Sequence, residues 1–211
     1  NNSNQRNFIN RRLRIVVYTR RQAMANQSTI GFGLRPLRNA GQANNTGGLG
    51  EWAKAASSAA INHHELTQLQ ADGTVLSSTV TTANNIGSLN GSFYTDPSTS
   101  KPTWSNYAPL TTATDQVCLI NDDTRQMYEM RTQLTSLTTA DVGGCSPIVV
   151  GTGSGAPNFL SGNLIGAVGT NDQIKIFGLT RDTNNQDVSV SGSVWRVIIN
   201  EHMLDNNVAG I

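Results

Sequence analysis

Apolar positions along this chain fall into short runs of period two, broken every few residues by Gly, Asn, Asp, Ser or Thr. His64-Glu65-Leu66-Thr67-Gln68-Leu69-Gln70 alternates and enters the turn Ala71-Asp72-Gly73-Thr74, after which Val75-Leu76-Ser77-Ser78-Thr79-Val80 resumes. Two such runs about Asp-Gly predict a hairpin, because both residues tolerate positive φ. Residues 117–120 predict a strand and 121–124 a turn. Residues 125–135 alternate again, with Met127, Glu129, Arg131 and Gln133 opposing Tyr128, Met130 and Leu134. Short strands follow at 147–150 and 174–179. The last strand, Val194-Trp195-Arg196-Val197-Ile198-Ile199, is the most apolar. Two stretches break the rule. Residues 51–61, from Glu51-Trp52-Ala53-Lys54-Ala55-Ala56 onward, have the propensity for a short helix. Residues 90–113 are rich in Pro, Ser, Thr and Gly, with Phe93, Tyr94, Trp104 and Tyr107 among them, and predict a long loop pinned by aromatics. Strands recurring between turn signals, without βα alternation, predict an all-β barrel or sandwich.

Composition narrows this further. Asn, Thr and Ser together number 64 of 211 residues, while charged residues make up only 14%, against a usual quarter. That excludes a helical bundle or coiled coil, which needs Ala, Glu, Lys, Leu and Arg in helical period. No run approaches the ~20 apolar residues that cross a bilayer as a helix, so no membrane partner is expected. Residues 1–23 hold six Arg and no apolar stretch of signal-peptide length, so no secretory signal is expected either.

Net charge +1 conceals a division. Residues 1–50 carry eight Arg and no Lys, Asp or Glu, a charge of +8, and the remaining residues carry −7. Within the first segment, Arg11-Arg12-Leu13-Arg14-Ile15-Val16-Val17-Tyr18-Thr19-Arg20-Arg21 sets a β-branched centre between Arg flanks. Residues 28–50 place apolar anchors at Ile30, Phe32, Leu34 and Leu37 among Gly and Asn, the pattern of a segment lying along another surface. Residues 1–50 are thus expected as an extended basic N-terminal arm, 51–204 as the β body, and 205–211 as a C-terminal tail. Phosphates would suit the arm, but Arg around an apolar strand, beside an acidic body, favours a carboxylate-rich protein surface over nucleic acid.

Candidate chemistry is sparse. Cys118 sits in an apolar strand and Cys145 after Gly143-Gly144, so two free thiols are expected. His63-His64-Glu65 is the one His-plus-carboxylate cluster in the sequence, but neighbours on a strand point to opposite faces and would not share a metal. Gly151-Thr152-Gly153-Ser154-Gly155 lacks the Gly-Lys-Ser/Thr ending of a phosphate loop and the Gly-x-Ser-x-Gly pattern of a nucleophile elbow. Asp122-Asp123 and Asp182 read as turn residues. No enzyme, cofactor or metal is expected.

Several segments carry a resemblance. Met24-Ala25-Asn26, continuing to Phe32-Gly33-Leu34-Arg35-Pro36-Leu37-Arg38, is similar to the opening of a family of small virion proteins of tailed bacteriophages. Asp122-Asp123-Thr124 with Met127-Tyr128-Glu129-Met130, Ile148-Val149-Val150-Gly151-Thr152-Gly153, Gln173-Ile174-Lys175-Ile176-Phe177-Gly178-Leu179 and Val197-Ile198-Ile199-Asn200-Glu201-His202 resemble further segments of that family in the same order. Thr124 stands where the family commonly has Pro, and residues 1–23 precede its usual initiator Met. The family comprises head decoration, or capsid cement, proteins. The resemblance implies a compact β-rich domain, often trimeric, on the capsid exterior, with the major capsid protein and its own copies as partners. The capsid-binding residues expected are Arg11, Arg12, Arg14, Ile15, Val16, Val17, Arg20, Arg21, Ile30, Phe32, Arg35 and Arg38. A receptor-binding or fibre-associated β domain, using Tyr94, Trp104 and Tyr107, is the competing reading, and a glycan-processing enzyme a distant third.

Overall fold

The alternation becomes thirteen strands among the residues described by the computed structural model, which are 30–41, 48–79, 83–133, 137–182, 185, 187–188 and 191–205. Five form one antiparallel sheet. Its outermost strand β1 (Arg35–Asn39) pairs with β8 (Gln126–Arg131), followed by β13 (Val194–Ile199), β12 (Ile174–Leu179) and the short β9 (Cys145–Ser146). The second sheet runs β2 (Gly50–Ala53), β7 (Val117–Asn121), β5 (Asn85–Thr95), β3 (Leu66–Leu69) and β4 (Val75–Ser77). The eleven-residue β5 outruns β3, so its far half pairs with β6 (Pro102–Ser105) along the same edge. A small ladder of β10 (Ile148–Val149) and β11 (Leu164–Ile165) completes the set. The result is a sandwich-like all-β fold of several antiparallel sheets with no closed barrel among the described residues, so the sandwich alternative holds.

Alternation on β8 and β13 decides which face is core. Tyr128 and Met130 pair across to Val197 and Trp195, and all four are fully buried with Leu34, Ile174 and Ile176. The intervening Glu129, Arg131, Val194 and Arg196 face the other way. A second core, Ile61, Val75, Ile86, Leu89, Cys118 and Ile120, backs the six-stranded sheet.

A buried polar seam joins the two sheets. Gln173 Nε2 donates to Ser78 Oγ (3.1 Å) and Thr79 O (2.7 Å), Ser78 Oγ donates to Asn85 Oδ1 (2.6 Å), and Met203 N donates to Asn85 O (2.7 Å). Tyr128 Oη donates to Asn121 O (2.7 Å) across the same junction. Partnered polar groups of this kind fix the relative placement of layers that apolar packing alone would leave free to slide.

Three expectations change. The helix read at 51–61 is instead β2 and a turn: Gly50–Ala53 registers against β7 and packs the partly buried Trp52 against the second core, and a tertiary ladder outweighs local Ala propensity. The loop read at 90–113 contains the end of β5 and all of β6. The arm boundary at residue 50 also moves, because Arg35–Asn39 is a strand of the body and Leu34 belongs to its core. Arg11, Arg12, Arg14, Ile15, Val16, Val17, Arg20 and Arg21 lie outside the described residues, as does most of the tail.

Both cysteines are free and buried, and burial pushes the Cys118 thiol up to about 12 against a smaller pull from Lys54. The folded protein is therefore expected to show almost no fast reaction with a thiol reagent at pH 8, and both thiols to react once it is unfolded in guanidinium. Rapid modification of either in the folded state would contradict this placement.

Candidate functional site

Phe32, Arg35, Glu129 and Arg131 meet at the outer face of the five-stranded sheet. Register explains their meeting. Arg35 on β1 is the cross-strand partner of Glu129 on β8, and Glu129 is in turn the partner of Arg196 on β13. Arg131 lies two residues along β8 on the same face, opposite Val194. Glu129 is buried and forms an ion pair with the more exposed Arg35. The Phe32 ring carries both guanidinium groups, each with its Cζ 5.0 Å from the ring centroid.

These residues open onto a pocket of about 210 Å³, whose far wall is Thr180, Asp182, Asn185 and Gly192. Asn185 ties that wall to the sheet. Asn185 lays its side-chain amide along β13 as a strand would, accepting from Val194 N (2.7 Å) and donating to Val194 O (2.8 Å) and Thr180 O (2.9 Å). Arg131 Nη1 donates to Ile30 O (2.6 Å) at the pocket rim. Burial, and then the neighbouring Arg35, lower the Arg131 pKa, though not enough to threaten its charge.

The other candidates prove structural. Contrary to the strand argument, the His63 and His64 rings share one side, 3.8 Å between centroids, because His64 adopts φ 61 and turns the chain. His63 N and O bond to Phe159 O and Ser161 N, while His64 N and O bond to Leu89 O and Leu34 N, so the pair ties four segments together. Among the described residues no group of three His, Cys, Asp or Glu side chains is placed to hold a metal. Gly151 and Gly153 pack against the backbone of Gly162 and Leu160, where a Cβ would approach within 2.6 and 2.5 Å, which makes this stretch a packing loop. Asp122 accepts from Trp52 Nε1 (3.0 Å), and Asp123 accepts from Asn39 Nδ2 (2.6 Å) and Arg125 N (2.7 Å). No known protein family, curated protein or solved structure matches the chain.

Of the expected binding residues within the described range, Phe32 and Arg35 are brought together in the pocket. Arg38 is exposed at the far end of β1, and Ile30 is exposed at the rim. Sequence reasoning missed Glu129, Arg131, Thr180 and Asn185. Only the charged i, i+2 pair Glu129 and Arg131 on an alternating strand was there to be seen.

The six-stranded sheet presents a different surface. Trp104, Phe93, Val117 and Ala53 stand in one register row across β6, β5, β7 and β2 on the face opposite the core. Trp104 and Phe93 are 53% and 48% exposed, unusual for residues of this size.

Proposed function

We propose that the protein is a structural virion protein, a decoration (cement) protein that binds the outside of a tailed-phage capsid and stabilises contacts between capsomers as a homotrimer. One observation carries the reading: β1 is the outermost strand of its sheet among the described residues and directs Arg35 and Arg38 outward, immediately after the basic N-terminal segment. In this reading Arg11, Arg12, Arg14, Arg20 and Arg21 pair with capsid carboxylates, while Ile15, Val16 and Val17 bury apolar area at ~25 cal/mol per Å² before ordering costs. Repetition over a symmetric lattice converts modest contacts into avidity. The family resemblance and the +8 to −7 division of charge support the same assignment.

Deleting residues 1–23 is expected to lower occupancy on purified capsids at least ten-fold and to remove the heat resistance that the protein confers. Full occupancy near one copy per major capsid protein, unchanged by the deletion, would overturn the role of the arm. The Trp104 and Phe93 row supports a second reading, a receptor-binding or fibre-associated domain. Loss of host adsorption in Trp104→Ala, with capsid stability intact and stoichiometry far below one to one, would replace the first reading with that one.

A further inference from the structure

Among the described residues Arg131 is a half-buried cation of this face with no carboxylate paired to it. Arg35 has Glu129, whereas the hydrogen bond of Arg131 goes to the neutral carbonyl of Ile30. Its Nε is buried without a hydrogen-bond partner, and so is Thr180 Oγ1 on the facing wall. Arg196, the register partner of Glu129, also leaves its Nε unpartnered. The Arg35 and Arg131 guanidinium groups thus share the Phe32 ring beside one paired carboxylate, while the Arg196 guanidinium reaches toward Gly178 on β12. Asp182 lines the pocket too but has interactions of its own. A partly desolvated guanidinium beside like charge is costly unless an anion joins it.

We propose that the pocket between Arg131 and Thr180 is a binding site for a carboxylate group. Planar fork geometry favours this assignment, since a guanidinium pairs with a carboxylate through two parallel N–H···O bonds. Thr180 Oγ1 supplies a hydroxyl donor from the opposite side, and the Phe32 ring holds the guanidinium groups in place. Glu129 and Asp182 in the lining select a monoanion and repel a dianion. About 210 Å³ accommodates an acetate or the end of an Asp or Glu side chain. The site stands independently of the capsid assignment, since its ligand is either a free small carboxylate or an acidic side chain of any protein partner.

The test follows the arginine Nε–H resonances of the full chain by ¹H–¹⁵N NMR, replacing chloride with acetate at constant ionic strength. The Arg131 resonance is expected to shift saturably with a midpoint in the millimolar range. Arg131→Lys should weaken the accompanying shifts of the Thr180 and Gly192 amides at least ten-fold, with the rest of the spectrum unchanged. Phe32→Leu, which keeps every charge, should weaken them several-fold. A blocked Gly-Glu-Gly peptide binding ten-fold tighter than acetate identifies a protein side chain as the ligand, and equal midpoints identify a free carboxylate. Shifts that do not saturate, that chloride reproduces, or that survive Arg131→Lys overturn the site. Inorganic phosphate binding ten-fold tighter than acetate overturns the carboxylate assignment.

Discussion

Acidification from pH 7 to pH 4 is expected to remove about 3 kcal/mol of stability through His64 alone, and His64→Asn to abolish that share of the loss. Burial, then the neighbouring His63 and Arg35, hold the His64 pKa down to about 3 from its ordinary 6.5, while a hydrogen bond with the Phe32 backbone acts in the opposite direction. The sign follows from the depressed folded value. Between pH 6.5 and 3 the unfolded chain takes a proton that the native ring refuses, so stability is full above 6.5 and drains as pH falls toward 3. Each unit within that window costs ~1.4 kcal/mol. Asn is the informative substitution because it tolerates the left-handed backbone that His64 occupies at φ 61. Burial also lowers the His202 pKa, which leaves a residual slope of the same sign, and Glu201, raised by burial and Asp172, works against it. Hydrogen bonds hold the carboxyls of Asp72, Asp96 and Asp115 below the ordinary carboxylate value, so their losses begin only as pH falls toward that value, at the acid end of the range. Urea unfolding at pH 7, 6, 5 and 4 measures the effect, and identical pH slopes for the wild type and His64→Asn would refute it.

That acid-sensitive ring sits directly behind the pocket, and the sequence explains why neither was legible in advance. The strands β12 and β13 are legible residue for residue, and in the fold Ile174, Ile176, Trp195 and Val197 alternate with less buried neighbours on a two-residue period. Their burial face follows from the same count. His64 could not be read in this way. Its partners come from residues 32–34 and 89, and its ring meets that of His63 only because one backbone torsion leaves the β region. The pocket is equally non-local. Its residues come from four segments between Phe32 and Val194, aligned by the registers of β1 on β8 and β8 on β13. Period-two patterning shows which face a side chain takes, but strand order decides its neighbours on that face. Arg35 stands out in the sequence for its charge, yet its role depends on Glu129, 94 positions along the chain.

Gly33→Ala is expected to destabilise the protein by about 2–5 kcal/mol and to weaken acetate binding in the pocket, although residue 33 touches no ligand. Gly33 has φ +74, a conformation that costs an L residue about 1–2 kcal/mol. A Cβ there would also stand 2.1 Å from His64 O and 2.7 Å from Ser161 Cβ. The carbonyl cannot yield without breaking its bond from Leu34 N (2.7 Å), which carries the fully buried Leu34 into the core. Losing a buried backbone bond adds about 1–3 kcal/mol, so strain and clash act on the same few atoms. Phe32 is the residue immediately before, and its ring is the platform under Arg35 and Arg131. Displacing residue 33 therefore moves that platform while every charge stays in the sequence. Gly41, also at positive φ (+84) but with open space around its Cβ position, isolates the backbone term, and Gly41→Ala should cost only that ~1–2 kcal/mol and leave the pocket unchanged. Equal losses from the two alanine variants, or an intact acetate midpoint in Gly33→Ala, would show that the contact with His64 does not hold the platform in place.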